Sequence, residues 1–454
     1  MPALRLDRNQ LREPFAGTGS GENVGLEVEA GLVDPETGRS LSYDGPAGAG
    51  AIITALAADA EAIGEKASVV EEDGRPLAVD FVDAGDRFSL EMGGALEYSS
   101  TVHTGVDAAV AHTGKRLRQA ARVALDKGAA VLTGGFLPFT APGQIPWVPK
   151  GRLAIMRDHF LKGGEHPMLI AASMGLTLST QVTLDYTGDD DLAEKVWAIN
   201  LASPIVAAMF VNSPLCDGGF DGHLSQRLHA IRHTDGERFG VLPFAVSRPP
   251  DVDDFVDFAL ARPMIFREAD EGYIPVGRTT FAEALDDGFE DGATPTPTDW
   301  KCHLDQIWPH VRVRETLEIR LCDGPFWRDI GSVPAFWSGL LYHRPSRLAA
   351  LDLLAGLSPA DLEETSAHVS THGLAAKTGG KPVAGLCREL LALARRGVAA
   401  RVRSGEEAPG TLRLLSPLRD VLRTGRTSAE RALARWRGEF GESPREWVRA
   451  YRVR

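Results

Sequence analysis

Between residues 24 and 33 the chain alternates strictly: Leu26, Val28 and Ala30 fall on one face of an extended strand, Glu27 and Glu29 on the other. The two carboxylates then stand roughly 7 Å apart on one side, at about 3.3 Å of rise per residue. Acids in a run flanked by Val24, Leu32 and Val33 have two readings. The ordinary one is an edge strand that turns its polar face to water. The other is a partly buried site with a cation between the carboxylates, because a close like-charge pair costs about 4 kcal/mol at an effective dielectric near 20.

Similar alternation recurs. The bursts AVDFV, RFSLE and ALEYSS between 77 and 100 predict successive antiparallel strands, with Glu91 and Glu97 flanking a Gly93-Gly94 turn so that two strand ends aim acids at one place. Residues 176–186 are the cleanest strand, with Gln181, Thr183 and Asp185 on one face and Val182 and Leu184 on the other. In 316–321, Glu318 and Arg320 share a face, as a metal-bound phosphate with its counter-charge requires, or as a simple in-strand ion pair. The apolar stretch around 130–139 reads as a buried strand, and PMIFRE with GYIPVG as a strand pair.

Helical spacing marks 51–63, 106–127, about 191–210, 251–261 and most of 332–454. The acidic, Pro- and Thr-rich stretch 286–299 is a mobile lid or a plain exposed connection. Lys150, Arg152 and Arg157 gather positive charge near a helix start, where it meets a phosphate or solvent. Arg227, Arg232 and Arg238, with Asp235, form a mostly basic run suited to gripping a substrate carboxylate.

Composition removes several classes. With 454 residues, 43% hydrophobic and 24% charged, the chain is an ordinary soluble globular protein, read as one large domain. Its catalytic sheet is expected over about 20–330 and a helical portion over about 331–454. A net charge of -13 argues against a nucleic-acid surface. The N-terminus carries charges where a signal peptide needs an apolar core, and no apolar run approaches about 18 residues, so a cytoplasmic protein without a membrane span is expected. Cys216, Cys302, Cys322 and Cys387 show no CxxC spacing, and His229 and His233 lack a flanking HExxH, so neither zinc nor a disulfide framework is indicated. There is no Walker loop and no clean GxGxxG. The strand acids, as hard oxygen ligands, suit Mg2+ or Mn2+. Ions bridging a triphosphate would relieve the repulsion among Glu27, Glu29, Glu91, Glu97 and Glu318, with Arg320 beside the transferred phosphoryl group.

The ordered motifs GLEVE, SLEMGGALEYSS, STQVTLDY, AMFVNSP, HLSQRLHAIRHTDGERFGVLPF, LEIR, LCDGPFWR and PAFWSGLLY resemble the plant-type glutamate-cysteine ligases, from near residue 20 to near residue 440. The resemblance implies an α+β fold of glutamine synthetase catalytic type, a curved and mostly antiparallel sheet with helices outside. It also implies an ATP-dependent ligase: the side-chain carboxylate of glutamate is phosphorylated and the amine of cysteine attacks the acyl phosphate. Carried over by position, Glu27, Glu29, Glu97 and Glu318 match the family's metal-binding acids, with Glu91 a weaker fifth. Arg320 matches its phosphate-contacting arginine and, with Glu318, is the expected catalytic pair; Lys150 joins Arg320 on the nucleotide. Arg227 matches the arginine that grips glutamate, and Gln181, Asp235 and Arg152 complete the expected substrate contacts. The expected partners are small molecules (glutamate, cysteine or another amine, and ATP), with the chain a monomer or homodimer.

Two departures stand out. Where the family has GRYEIM and SHIW, this chain has Leu153 and Ile231 in place of the aromatic residues, which opens the alternative of a different amine or acid in a specialised-metabolite pathway. The family's regulatory cysteines find no match, so thiol control is not carried over. A non-catalytic scaffold is a third reading, set against the retention of every acid named.

Overall fold

Strand β1 (Val24–Val33) is the spine of a nine-stranded antiparallel sheet. Its partners are β2 (Ala67–Glu72), β3 (Arg75–Phe81), β4 (Asp86–Leu90), β5 (Leu96–Ser99), β6 (Ala130–Thr133), β7 (Thr180–Leu184), β8 (Val311–Val313) and β9 (Leu317–Ile319). The order across the sheet is β8-β9-β7-β1-β5-β4-β3-β2, and β6 pairs with the second half of β1. This computed structural model describes residues 6–454 apart from 18, 20, 270 and 271. The first five residues of the charged N-terminus, part of the segment read as lacking a signal peptide, lie outside the described residues.

Register converts the alternation into two unlike faces. Val28 faces Tyr98, Phe88 and Val79 along one row, and Leu26 faces Val182 and Ile319 along another; all are buried. The Val28 row is covered by α1 (Ala49–Ala62) and α2 (Val106–Asp126), and the Leu26 row belongs to a second buried cluster. The second helix buries Val106, Ala109, Thr113, Leu117, Ala120 and Ala124, positions three or four apart that lie on one side of a 3.6-residue turn. The opposite face carries the acids. β1 is therefore a central strand, bonded on both edges, and the edge-strand reading of its glutamates does not apply.

Four helices and their loops border the acidic face or run behind the sheet: α3 (Gly151–Gly163), α4 (Pro167–Gly175), α5 (Asp189–Phe210) and α6 (Gln226–Ile231). By length and composition α5 would span a membrane, but 83% of its apolar window is buried inside the protein, as in a core helix. Around it pack α8 (Arg344–Leu354), α9 (Pro359–His372) and α10 (Val383–Ser404), while α7 (Ser332–Leu341) bridges α10 and β7. One buried apolar cluster runs from Leu11 through α5 to Ala429. The four cysteines are free thiols, three of them buried.

The stretch 286–299 is for the most part an exposed connection between two helices, as the second of its two readings expects. A helix ends at Asp287 and the next begins at Pro297, capped by the Thr296 side chain. Between them Phe289 is buried edge-on against Phe281, and Arg267 pairs with Asp291. A buried aromatic anchor and an ion pair hold the segment down.

Candidate active site

The acids meet across strand pairs. Glu29 lies directly opposite Glu97 on β5, Glu27 opposite Gln181 on β7, and Glu318 between Thr183 on β7 and Arg312 on β8. Side chains directly opposite in an antiparallel pair are close neighbours, so like charges there are destabilising unless something intervenes. What intervenes from the protein is slight. Gln181 donates to Glu29 at 3.4 Å and Ser89 to Glu97 at 3.3 Å, both long. The carbonyl oxygen of the Gln181 side chain is buried without a partner.

Glu91 joins this group through its turn. Gly94 has φ of 83°, the left-handed region that glycine favours, and a Cβ on Gly93 would meet the Gly175 carbonyl oxygen at 1.9 Å. Glycine at both positions lets the turn close against the end of α4, which sets Glu91 in the wall of the cleft.

Burial pushes the carboxyls of Glu27, Glu29 and Glu97 above their ordinary range. At Glu29 the charge of Glu91 adds to this; at Glu97, pushed well above, Glu91, Glu27 and Glu29 all add. Arg320 and Arg312 pull Glu27 back. Lys150, at the N-cap of α3, is lowered by burial and held up chiefly by Glu91. Burial brings Arg320 down to about 9, with Arg312 adding to the effect and Glu27 and Glu29 opposing it.

Arg312 was not singled out in the sequence. It donates to Glu318 through Nε at 2.9 Å and Nη2 at 2.6 Å, while Arg320 ion-pairs with the other oxygen of the same carboxylate. The signal for Arg312 lies in VRVRETLEIR: a tight turn at 314–316, closed by the Arg314 amide on the Thr316 carbonyl, puts Arg312 across from Glu318.

Beside the acids opens a cleft with about 910 Å³ of empty space. Glu29, Glu91, Arg227 and Arg320 supply its charge, Met92, Met156 and Met174 part of its apolar wall. Arg227 is 6% exposed. It donates from Nη1 to the Leu321 carbonyl at 2.6 Å and from Nη2 to the Arg320 carbonyl at 2.8 Å, and its Nε has no partner. His310, also in the lining, is kept neutral by burial, its pKa brought down to about 3.

Several expected contacts are not brought here. Arg152 is exposed and does not line the cleft, and Lys150 and Gln181 also lie outside its lining. Asp235 is engaged by Arg238 at 3.1 Å and by His159 at 3.9 Å, outside the lining. Arg232 is exposed. Arg238 is pinned to the Gln306 and Pro263 carbonyls, leaving Arg227 as the member of that run that reaches the cleft. Arg157 stacks on Trp147, 4.6 Å from the ring centre. Of the two departures, Ile231 lines the cleft whereas Leu153 is a core residue.

The donor set is that of a hard divalent cation: carboxylate oxygens, long protein hydrogen bonds and no competing thiolate or imidazole among the strand acids. The side chains are not drawn into a ligating group as they stand. Among the described residues no three His, Cys, Asp or Glu side chains are grouped closely enough to hold a metal ion.

A family profile for glutamate-cysteine ligase family 2 matches residues 23–447. The chloroplastic glutamate-cysteine ligase of Arabidopsis thaliana is 36% identical over 357 residues, 78% of this chain and 67% of that one. The chloroplastic enzyme of Nicotiana tabacum is 33% identical over the same length and shares. These relatives are chloroplastic, which overturns the cytoplasmic expectation: the charge pattern of these residues does not name a compartment. Among solved structures, the glutamate-cysteine ligase of Francisella tularensis in complex with AMP superposes with a TM-score of 0.56 at 11% identity, covering 96% of this chain and 90% of that one. That likeness shows the fold, the expected antiparallel sheet of glutamine synthetase type with helices outside. On the profile over nearly its whole length and on the identity to the plant enzymes, the chain belongs to the glutamate-cysteine ligase family 2.

Proposed function

We propose that this protein joins the side-chain carboxylate of glutamate to the amine of cysteine at the expense of ATP, releasing ADP and phosphate. The observation that carries the reading is the half-buried acidic row abutting a cleft with Arg227 and Arg320, in a chain 36% identical to a glutamate-cysteine ligase. The alternative of another amine rested on Leu153 and Ile231; the first is core packing, and the relatives are glutamate-cysteine ligases.

The residues divide the work. Arg227, in the cleft lining, offers its guanidinium to the glutamate α-carboxylate, a charge-assisted contact that fixes the substrate's end. Arg320 faces the phosphates and takes up charge that develops as the phosphoryl group moves to the glutamate side chain, and Lys150, beside Glu91 and Glu97, adds a second cation for the nucleotide. The ion pair with Glu318 holds the Arg320 guanidinium in place beforehand. The apolar wall of Met92, Met156 and Met174 limits the water that reaches the acyl phosphate before the amine attacks. Glu27, Glu29, Glu97 and Glu318, with Glu91 beside them, are the residues that would hold Mg2+ or Mn2+. Such an ion supplies charge neutralisation for the polyphosphate. We take the chain as a single domain, with the helical portion beyond residue 331 supporting the sheet.

The test is phosphate release from ATP with Mg2+, glutamate and a panel of amines. Cysteine is expected to give the fastest turnover. Release that does not depend on both glutamate and an amine, or another amine outpacing cysteine, counts against the assignment.

A further inference from the structure

Arg227 sits in a cavity wall where its hydrogen bonds go only to neutral carbonyls, so its charge needs a balance from elsewhere. The candidate is Asp323, 2% exposed and absent from the cleft lining. One carboxylate oxygen accepts from the Ser225 hydroxyl at 2.8 Å. The other accepts from the Ser213 hydroxyl at 2.7 Å and the Asn212 amide at 2.9 Å. Ser225 is the N-cap of α6, the helix that carries Arg227 in its first turn. Asp323 also bridges to Ser179, whose carbonyl accepts the Glu29 amide at 3.0 Å.

This carboxylate ties three segments together, the chain just past α5, the cap of α6 and the strand end 320–323 whose carbonyls hold Arg227, and the Asp323 backbone adds the entry to β7. The carboxylate has no room to swing, since a Cβ on Gly135 would lie 2.5 Å from its Cγ. All three donors to it are neutral. A neutral asparagine has an acceptor oxygen for one side of this arrangement, but only a carboxylate accepts on both and also supplies the charge that a buried guanidinium lacks.

We propose that Asp323 is a positioning residue for Arg227, fixing the direction of α6 and balancing the guanidinium so that it keeps its place in the cleft lining for the glutamate carboxylate. The inference rests on the reading of Arg227 as the glutamate contact. Asp323 touches no substrate.

The experiment is steady-state kinetics on the full-length chain with thermal melts alongside. Asp323→Asn is expected to raise KM for glutamate about tenfold while KM for ATP and kcat change less than about threefold, because binding of one substrate end is lost and the chemistry is not. Ser213→Ala removes one donor and leaves the charge. It should shift KM for glutamate in the same sense by about two- to threefold, and it serves if the asparagine variant does not fold. Equal loss across both substrates and kcat, or no change in folded variants, overturns the role of Asp323. Arg227→Gln separates the two readings: if it leaves KM for glutamate unmoved, the assignment of Arg227 itself is overturned.

Discussion

Asp86 and Glu97 are carboxylates on adjacent strands of one sheet, facing opposite sides of it, and their surroundings differ in kind. Asp86 points into the helix-covered face and accepts from Tyr98 Oη at 2.8 Å, from Arg116 Nε at 2.8 Å and Nη2 at 3.0 Å, and it meets His112 Nε2 at 2.7 Å. These partners overcome burial and hold its carboxyl below the usual range. Arg116 is shared with Glu65 and lies 3.7 Å over the Phe81 ring. Glu97, with one long contact from Ser89, is pushed well above the usual range by burial and by three neighbouring glutamates. A charge that the protein has matched internally is part of the scaffold. A charge it has left unmatched is reserved for something that arrives.

The comparison breaks first at Glu318. Unlike Glu97, Glu318 is already paired, with Arg312 and Arg320, so Glu318→Gln is expected to cut turnover at least about a thousandfold, about 4 kcal/mol of transition-state stabilisation, and also to lower the melting temperature of a still folded protein, because two guanidiniums lose their shared carboxylate. Phosphate release and a thermal melt on the same preparation check both halves, and a wild-type rate would remove Glu318 from the site. The mirror image is Asp86→Ala, which leaves the buried Arg116 guanidinium without one of its two carboxylate partners. It should cost about 3 kcal/mol of unfolding free energy in urea, with activity per folded molecule unchanged.

Acid should act through the matched and neutral groups. His303 and His310 are buried, each with its pKa brought down to about 3, while the unfolded chain binds the proton near 6.5. Their contribution is therefore intact above pH 6.5 and is lost as pH falls toward 3, about 2 kcal/mol for each between pH 6.5 and 5. Asp86, with its folded value depressed, adds stability present above its unfolded value and lost as pH falls through the folded one. Glu27, Glu29 and Glu97 have the opposite sign: their folded values are raised, so their contribution is present at low pH and lost as pH rises through those values. Urea unfolding from pH 5 to 8 should show a net rise in stability with pH; a fall would mean that the glutamates outweigh the histidines.

The smallest effect sharpens the contrast most. Glu97→Gln removes one like charge from the unmatched group and should stabilise the protein without metal or nucleotide by about 1 kcal/mol, even under water-like screening. The gain should vanish or reverse when Mg2+ and ATP are added. Destabilisation in their absence would mean that Glu97 is already paired.

How much of this could be read in advance depended on the range of the interaction that decides each position. The strands around Glu27, Gln181 and Glu318 are legible because a period of two and a row of core residues act within a few positions. That these strands meet came from the ordered motifs rather than from periodicity. Arg312 escaped because its place depends on the register of a hairpin, and one residue of slip would turn it to the other face. Asp323 escaped for a different reason: its donors come from positions 212, 213 and 225, a convergence that no local pattern encodes. Arg152 was misplaced by treating nearby charges on a helix as one patch, when each residue turns the side chain by about 100°.

Because β1 is bonded to β7 and β5 on its two edges and to β6 beyond, the separation of Glu27 from Glu29 is set by a backbone that no local breathing can stretch. The amides of Leu26 to Ala30 will exchange with deuterium only when the entire molecule opens. The spacing of the anionic pair and the kinetic lifetime of the folded chain are then measured by the same slow protons.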